Sequence, residues 1–176
     1  MRERCDDLLP AAWTAEDGTA LAIRPIRPQD VGRMRAFLGG LSYGSRYFRF
    51  GTGEPRFTDE EALRVCTPDP RECIHLVVVR AGNGAEEIVA SARIVFESAG
   101  TACEFAIAVR DEWQGRGVGR RLLNALMASA RGRAHTEMRA RVLATNTGMI
   151  RFLEKCGFEV GDSAEGPGVR LALRAL

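Results

Sequence analysis

Gln114-Gly115-Arg116-Gly117-Val118-Gly119-Arg120-Arg121 is the stretch whose reading decides the fold. It follows an apolar run, Cys103 to Val109, and opens a segment whose apolar residues fall at helical spacing: Val118, Leu122, Leu123, Leu126, Met127 and Ala130. A glycine-rich turn between strand and helix is a good place to hold phosphate. Free N–H groups and the positive end of the helix dipole point outward there, and glycines let the backbone approach an anion. Arg116, Arg120 and Arg121 add guanidinium forks. Two common phosphate motifs are excluded. A P-loop needs Gly-Lys-Ser/Thr after a four-residue gap, and a dinucleotide fingerprint needs glycine where Arg120 stands. The plain alternative is a glycine-rich turn with a basic helix start.

Outward from this turn, the chain reads as one domain of alternating elements. Residues 1–18 form a lead-in, and residues 19–176 a single domain. Ala20 to Ile26 reads as a strand, with Pro25 hinting at a sheet edge. Asp30 is a suitable N-cap for a helix over Val31 to Leu38, and a second helix is expected over Tyr43 to Phe48. Thr58-Asp59-Glu60-Glu61 is a capping box for a third, ending near Cys66. Ile74 to Arg80 and Glu87 to Glu97 make a hairpin around the turn residues 81–85. After the helix from Gly117 to Ala130 come a strand from Met138 to Ala144 and a helix from Thr147 to Cys156. Short strands at Phe158 to Val160 and Val169 to Leu173 finish the chain. The order predicts an α/β fold with a mixed sheet and helices on both faces.

The turn resembles the acyl-CoA motif of the GNAT (Gcn5-related) N-acetyltransferase superfamily, matched here by Gln114, Gly117 and Gly119. Asn146 and the run Met149 to Phe158, ending Gly157-Phe158, look like that superfamily's second signature. Upstream, Ile23 to Asp30 and Leu41 to Phe50 are similar to the acetyltransferase domain of bacterial protein lysine acetyltransferases. The resemblance implies a mostly antiparallel sheet of six to seven strands and a V-shaped cleft for acyl-CoA between the fourth and fifth, Cys103–Val109 and Met138–Ala144. Pantetheine would pair with the backbone of Ile107, Ala108 and Val109. Pyrophosphate would rest on the amides of Gly115, Arg116, Gly117, Val118, Gly119 and Arg120. Asn146 would bond the pantetheine arm beside Phe152, while also serving as an N-cap.

An amine acceptor such as lysine must lose a proton, at a cost of about 4.6 kcal/mol at pH 7. Glu104 is the candidate general base. Strand alternation sets Glu104, Ala106 and Ala108 on one face and Cys103, Phe105, Ile107 and Val109 on the other. An acid among apolar neighbours is expected to titrate high enough to serve near neutrality. The lysine acetyltransferases that the chain resembles carry their catalytic Glu at this position. An N–H near Ile107 or Ala108 would stabilise the oxyanion. Many GNAT enzymes have a tyrosine where this chain has Leu153, which cannot protonate a departing thiolate. A thiol with pKa near 8.5 leaves tolerably without help. The aromatic cluster Tyr43, Tyr47, Phe48 and Phe50 is expected either to pack a helix on the sheet or to line the acceptor pocket.

Composition bounds the remaining classes. A formal charge of +2 carries no argument for nucleic acid or an anionic membrane, and Glu137 interrupts the basic series Arg131, Arg133, Arg139 and Arg141. Five cysteines without a CxxC pair argue against disulfides or zinc and for a reducing, cytoplasmic setting. No apolar run reaches the length of a membrane span, and Met1 to Asp7 does not read as a signal peptide. The resemblance implies acetyl-CoA as co-substrate, no metal and an amine acceptor, led by protein lysine. A small-amine acceptor, a non-catalytic acyl-CoA-binding module and a homodimer stay open. Of 25 basic residues, 24 are arginine, and Lys155 is the one lysine.

Overall fold

The computed structural model describes residues 11–51, 58–81, 84–97 and 100–176. The termini of several expected features, Met1 to Asp7 with Cys5 and the hairpin tip at Gly82-Asn83, lie outside the described residues.

Eight strands form one sheet in the order β1-β2-β3-β4-β5-β6-β8-β7. They are β1 (Ala11–Thr14), β2 (Ala20–Pro25), β3 (Cys73–Ala81), β4 (Glu86–Phe96), β5 (Ala102–Val109), β6 (Glu137–Leu143), β7 (Glu159–Asp162) and β8 (Val169–Ala175). Every neighbouring pair is antiparallel except β5 and β6. The helices are α1 (Val31–Gly39), α2 (Tyr43–Phe50), α3 (Asp59–Cys66), α4 (Val118–Gly132) and α5 (Thr147–Lys155).

The expected mixed architecture holds, with one more strand than expected. Part of the segment read as a lead-in, Ala11–Thr14, pairs with Ala20–Ile23 as an edge strand. That addition makes β2 interior and corrects the edge reading of Pro25. Proline is tolerated because Pro25 ends β2, two residues beyond the last pair with β1.

Two cores cover the two faces. The whole predicted stripe of α4 is buried; it packs with Ile94, Cys103, Phe105, Met138 and Leu153 on one face. On the other, α1 and α3 bury Met34, Phe37, Leu38 and Cys66 against Val77, Val79 and Ile88. The capping box at α3 forms as read, with Thr58 Oγ1 accepting from Glu61 N at 3.2 Å and Thr58 N donating to Glu61 at 2.8 Å. Asp30 does not cap α1 with its side chain. Its carboxylate takes two bonds from the buried Arg24 guanidinium, at 2.7 and 2.8 Å, a stronger partner than a helix amide.

Cys66, Cys73, Cys103 and Cys156 are free thiols. Among the described residues no helix is long and apolar enough to cross a membrane.

Candidate active site

The site begins where the sheet comes apart. β5 and β6 pair only at Ala102↔Glu137, Cys103↔Met138 and Glu104↔Arg139. From Phe105 to Val109, β5 keeps its partners on β4 but has none on β6. The result is a V-shaped opening with Glu104 at its vertex and the unpaired edge of Ile107, Ala108 and Val109 along one arm.

That arm runs into the glycine-rich turn. A single 3-10 turn, Asp111–Trp113, carries the chain from β5 to α4. Gln114 Nε2 donates to the Val109 carbonyl at 3.0 Å, tying the turn to the end of the strand. Gly115 and Gly117 adopt φ of +73° and +78°, the left-handed region that favours glycine. Gly117 is the N-cap of α4, and no side chain caps this helix end. Arg121 N is bonded to the Gly117 carbonyl, whereas the first-turn amides of Val118, Gly119 and Arg120 have no helical carbonyl to bond. No acidic residue occupies that first turn. A 15-residue helix thus starts with its amides free for an anion.

α5 closes the site from the other arm. Asn146 Oδ1 accepts from Met149 N at 3.1 Å, which caps the helix and leaves the amide N–H₂ available. The Phe152 ring lies against the start of α4. A Cβ on Gly119 would sit 3.6 Å from Phe152 Cζ and 3.5 Å from Val109 Cγ2. Strand, turn and α5 therefore converge on Gly119.

The arginines do not converge as expected. Arg116 pairs with Asp17 at 2.7 Å and lies over the Trp113 ring, and Arg121 lies over Trp13. Arg120 bonds the Lys155 carbonyl at 3.3 Å. With Asn124, Lys155, Cys156, Gly157 and Arg174 it lines a cavity of about 330 Å³ at the C-terminal end of α5. The three arginines of the turn and the helix start thus hold three different partners.

Glu104 also has different surroundings from those expected. Its face is correct: Cys103, Phe105, Ile107 and Val109 join the α4-side core, and Ala108 joins the other. The apolar setting is not found. The side chain is 41% exposed and pairs with Arg141 Nη2 at 2.9 Å, while Arg141 Nε reaches Glu165 at 3.0 Å. Leu153 is fully buried in the α4-side core, so its role is packing. Tyr43, Tyr47 and Phe48 turn outward rather than onto the sheet, at 66%, 40% and 40% exposure.

A family model for the acetyltransferase (GNAT) family matches residues 42–158. The chain belongs to that family.

Acetyltransferase Pat of Mycolicibacterium smegmatis is 30% identical over 155 residues, which are 85% of this chain and 44% of that protein. Acetyltransferase PA5475 of Pseudomonas aeruginosa is 29% identical over 144 residues, 81% of this chain and 77% of its own. The chain thus spans less than half the length of the first relative. Among solved structures, the GNAT domain of S. lividans PAT superposes with a TM-score of 0.84 at 28% identity, over 95% of this chain and 97% of that one. A cAMP-binding acyltransferase from Mycobacterium smegmatis gives a TM-score of 0.62 at 25% identity, over 99% of this chain and 49% of that one. GNAT acetyltransferases use acetyl-CoA, and the free helix amides and the split between β5 and β6 suit such a donor.

Sequence reasoning missed the residues that hold this GNAT frame from a distance. Asp111 accepts from Ser42 N and Oγ at 3.0 and 2.8 Å and from Ser45 Oγ at 2.9 Å, which fastens α2 beside the turn. Burial opposes the Asp111 charge, yet the Ser42 and Ser45 bonds hold its carboxyl below the usual range. No periodic pattern marks partners 66 to 69 residues apart.

Proposed function

We propose that this chain transfers an acetyl group from acetyl-CoA to an amine, with protein lysine as the leading acceptor, in a ternary complex with Glu104 as general base. The observation that carries the reading is that the β5–β6 ladder ends at Glu104↔Arg139. One strand therefore offers a carboxylate at the vertex, a free backbone edge beyond it, and then the uncapped N-terminus of α4.

Acetyl-CoA supplies an activated acyl carbon. The residues of this chain would do the rest. The amides of Gly115 to Arg120 hold pyrophosphate, and the edge of Ile107 to Val109 holds the pantetheine arm between Asn146 and Phe152. Glu104 takes the proton from the acceptor ammonium. The amine nitrogen then bonds the acyl carbon, an N–H near Ile107 or Ala108 stabilises the oxyanion, and the C–S bond breaks to release CoA thiolate as the nitrogen gives its second proton to water. With Leu153 buried, no side chain of α5 at that position protonates the thiolate.

Arg141 must yield Glu104 to the acceptor. An ion pair this exposed is worth less than about 1 kcal/mol, so an ammonium can displace it. The lysine assignment is supported by the likeness of Ile23–Asp30 and Leu41–Phe50 to lysine acetyltransferase domains.

The test is CoA release with lysine peptides, polyamines and aminoglycosides, alongside titration of acetyl-CoA binding. Glu104→Gln should lower turnover by about 10²- to 10⁴-fold and leave donor affinity near wild type. Undiminished turnover in Glu104→Gln would remove Glu104 as the base. If no amine is acetylated, the chain is an acyl-CoA-binding module.

A further inference from the structure

Among the described residues, two arginines on the Glu104 side of the sheet have no carboxylate partner. Arg49 lies half-buried on α2, which packs along β5, and its guanidinium stands 4.8 Å from the centre of the Phe50 ring. Arg93, on β4, is exposed and pairs across the ladder with Ala106 of β5. Arg24, Arg80, Arg139 and Arg141 each hold an acidic partner at 3.0 Å or less. Among the described residues, Arg49 and Arg93 hold neither an ion pair nor a hydrogen bond.

Across the packing of α2 on β5, the Arg93 charge acts on the Arg49 guanidinium. Burial first, and then the Arg93 charge, pull Arg49 down to about 10, so it stays cationic at neutral pH. Arg93 is directly opposite the buried His75 across the β3–β4 ladder, and the Arg49 charge bears on the same ring. A half-buried cation next to a second cation is unfavourable unless an anion joins them.

Their position relative to the vertex suggests what that anion is. Val95 is opposite Glu104 and Arg93 opposite Ala106, so Arg93 and Glu104 are diagonal neighbours on one face. Such residues lie about 7–8 Å apart, the span of one or two residues of an acceptor chain. A molecule that delivers its amine to Glu104 would carry its next group past the arginines.

We propose that Arg49 and Arg93 form a subsite for a carboxylate that the acceptor carries beside its reacting amine, such as an acidic residue flanking the target lysine. The inference rests on the reading of Glu104 as the acceptor-side base. Selection comes from charge-assisted bonds that a neutral neighbour cannot make.

Two peptides that differ only in Glu or Gln beside a single lysine decide it, with acetyl-CoA fixed and CoA release followed. The acidic peptide should be preferred by about tenfold or more in kcat/KM, mostly through KM. Arg93→Gln should bring that ratio close to one. Arg49→Gln should do the same; if it unfolds α2, the exposed Arg93 variant still decides. Nα-acetyl-lysine against its carboxamide tests the other source of a carboxylate. A preference there alone supports the subsite and assigns it to the α-carboxylate of a small acceptor. Equal kcat/KM within both pairs, or a preference that survives Arg93→Gln unchanged, overturns the subsite and leaves the transferase reading intact. Acetylation of none of the four compounds or of the wider amine panel defeats the transferase reading instead.

Discussion

Gly117→Ala isolates what the glycine-rich turn demands of the backbone. Gly117 sits at φ +78°, and a Cβ built there meets nothing within 4 Å. The penalty for alanine is therefore torsional and not steric. Placing an L-residue in the left-handed region costs about 1–2 kcal/mol. In a domain of this size, that corresponds to a Tm lower by roughly 2–8 °C. Gly119→Ala is the matched control, two residues on. Its φ is ordinary, and the new Cβ would make normal contacts of 3.5 and 3.6 Å with Val109 and Phe152. Alanine there should be neutral or stabilising by up to about 1 kcal/mol. The chain can also relieve the Gly117→Ala strain by turning the first amides of α4 away from their present direction. Acetyl-CoA affinity would then fall, by about tenfold for each 1.4 kcal/mol diverted that way. Thermal unfolding and acetyl-CoA titration of both variants test this together. A Gly117→Ala protein that melts with wild type and binds acetyl-CoA equally well would refute the left-handed turn as the reason for glycine.

Two further predictions concern stability. His75 Nδ1 donates to the Val65 carbonyl at 3.1 Å, so Nε2 accepts from Ser91 at 2.7 Å, and burial pulls the neutral ring down to about 4. Because the unfolded chain binds this proton near pH 6.5, folding stability should fall by about 2 kcal/mol between pH 7.5 and pH 5; urea melts of wild type minus His75→Asn check the difference, and equal slopes would contradict it. Arg24 and Asp30 are 3% and 1% exposed, so Arg24→Met should cost up to about 3–5 kcal/mol by leaving the buried carboxylate with only Arg33 at 3.2 Å and Arg27 N at 2.9 Å. The double variant Arg24→Met with Asp30→Leu should recover part of that loss, and a single-variant cost below about 1 kcal/mol would show that the pair is not the support it looks to be.

What could be read from the sequence was what depends on neighbours along the chain. The α4 stripe, the Thr58 capping box and the strand faces around Glu104 each follow from spacing within one element, and each is present in the fold. The features that were misread depend on partners far away. Asp30 reads as an N-cap until Arg24 is found on the neighbouring strand. Glu104 reads as an acid among apolar residues because Phe105, Ala106 and Ile107 follow it, whereas its actual neighbour, Arg141, arrives from β6. The glycine-rich turn shows the same division. Its glycines could be assigned from local backbone needs, but the directions of Arg116, Arg120 and Arg121 depend on Asp17, Lys155 and Trp13.

The split between β5 and β6 is the feature on which the site depends, and the sheet explains how it can be stable. Unpaired backbone N–H and C=O groups are costly inside a protein, so a gap within a sheet needs support from outside the gap. Here β5 keeps seven pairs with β4, and β6 keeps seven with β8. Each strand is therefore held from its far side and does not need the other. Only three pairs join them, all at the Glu104 end. β8 inserts between β6 and β7 in the strand order, which is what gives β6 a long antiparallel partner. Without it, β6 would be an edge strand held by three parallel pairs, too few to fix Asn146 and α5 opposite the turn. The arms of the V are thus set by contacts on its outside, and its inner edges are left with hydrogen-bonding groups for an extended, amide-bearing chain. A substitution that weakens β6–β8 should consequently loosen donor binding from a distance, through the position of α5 rather than through any group that touches the donor.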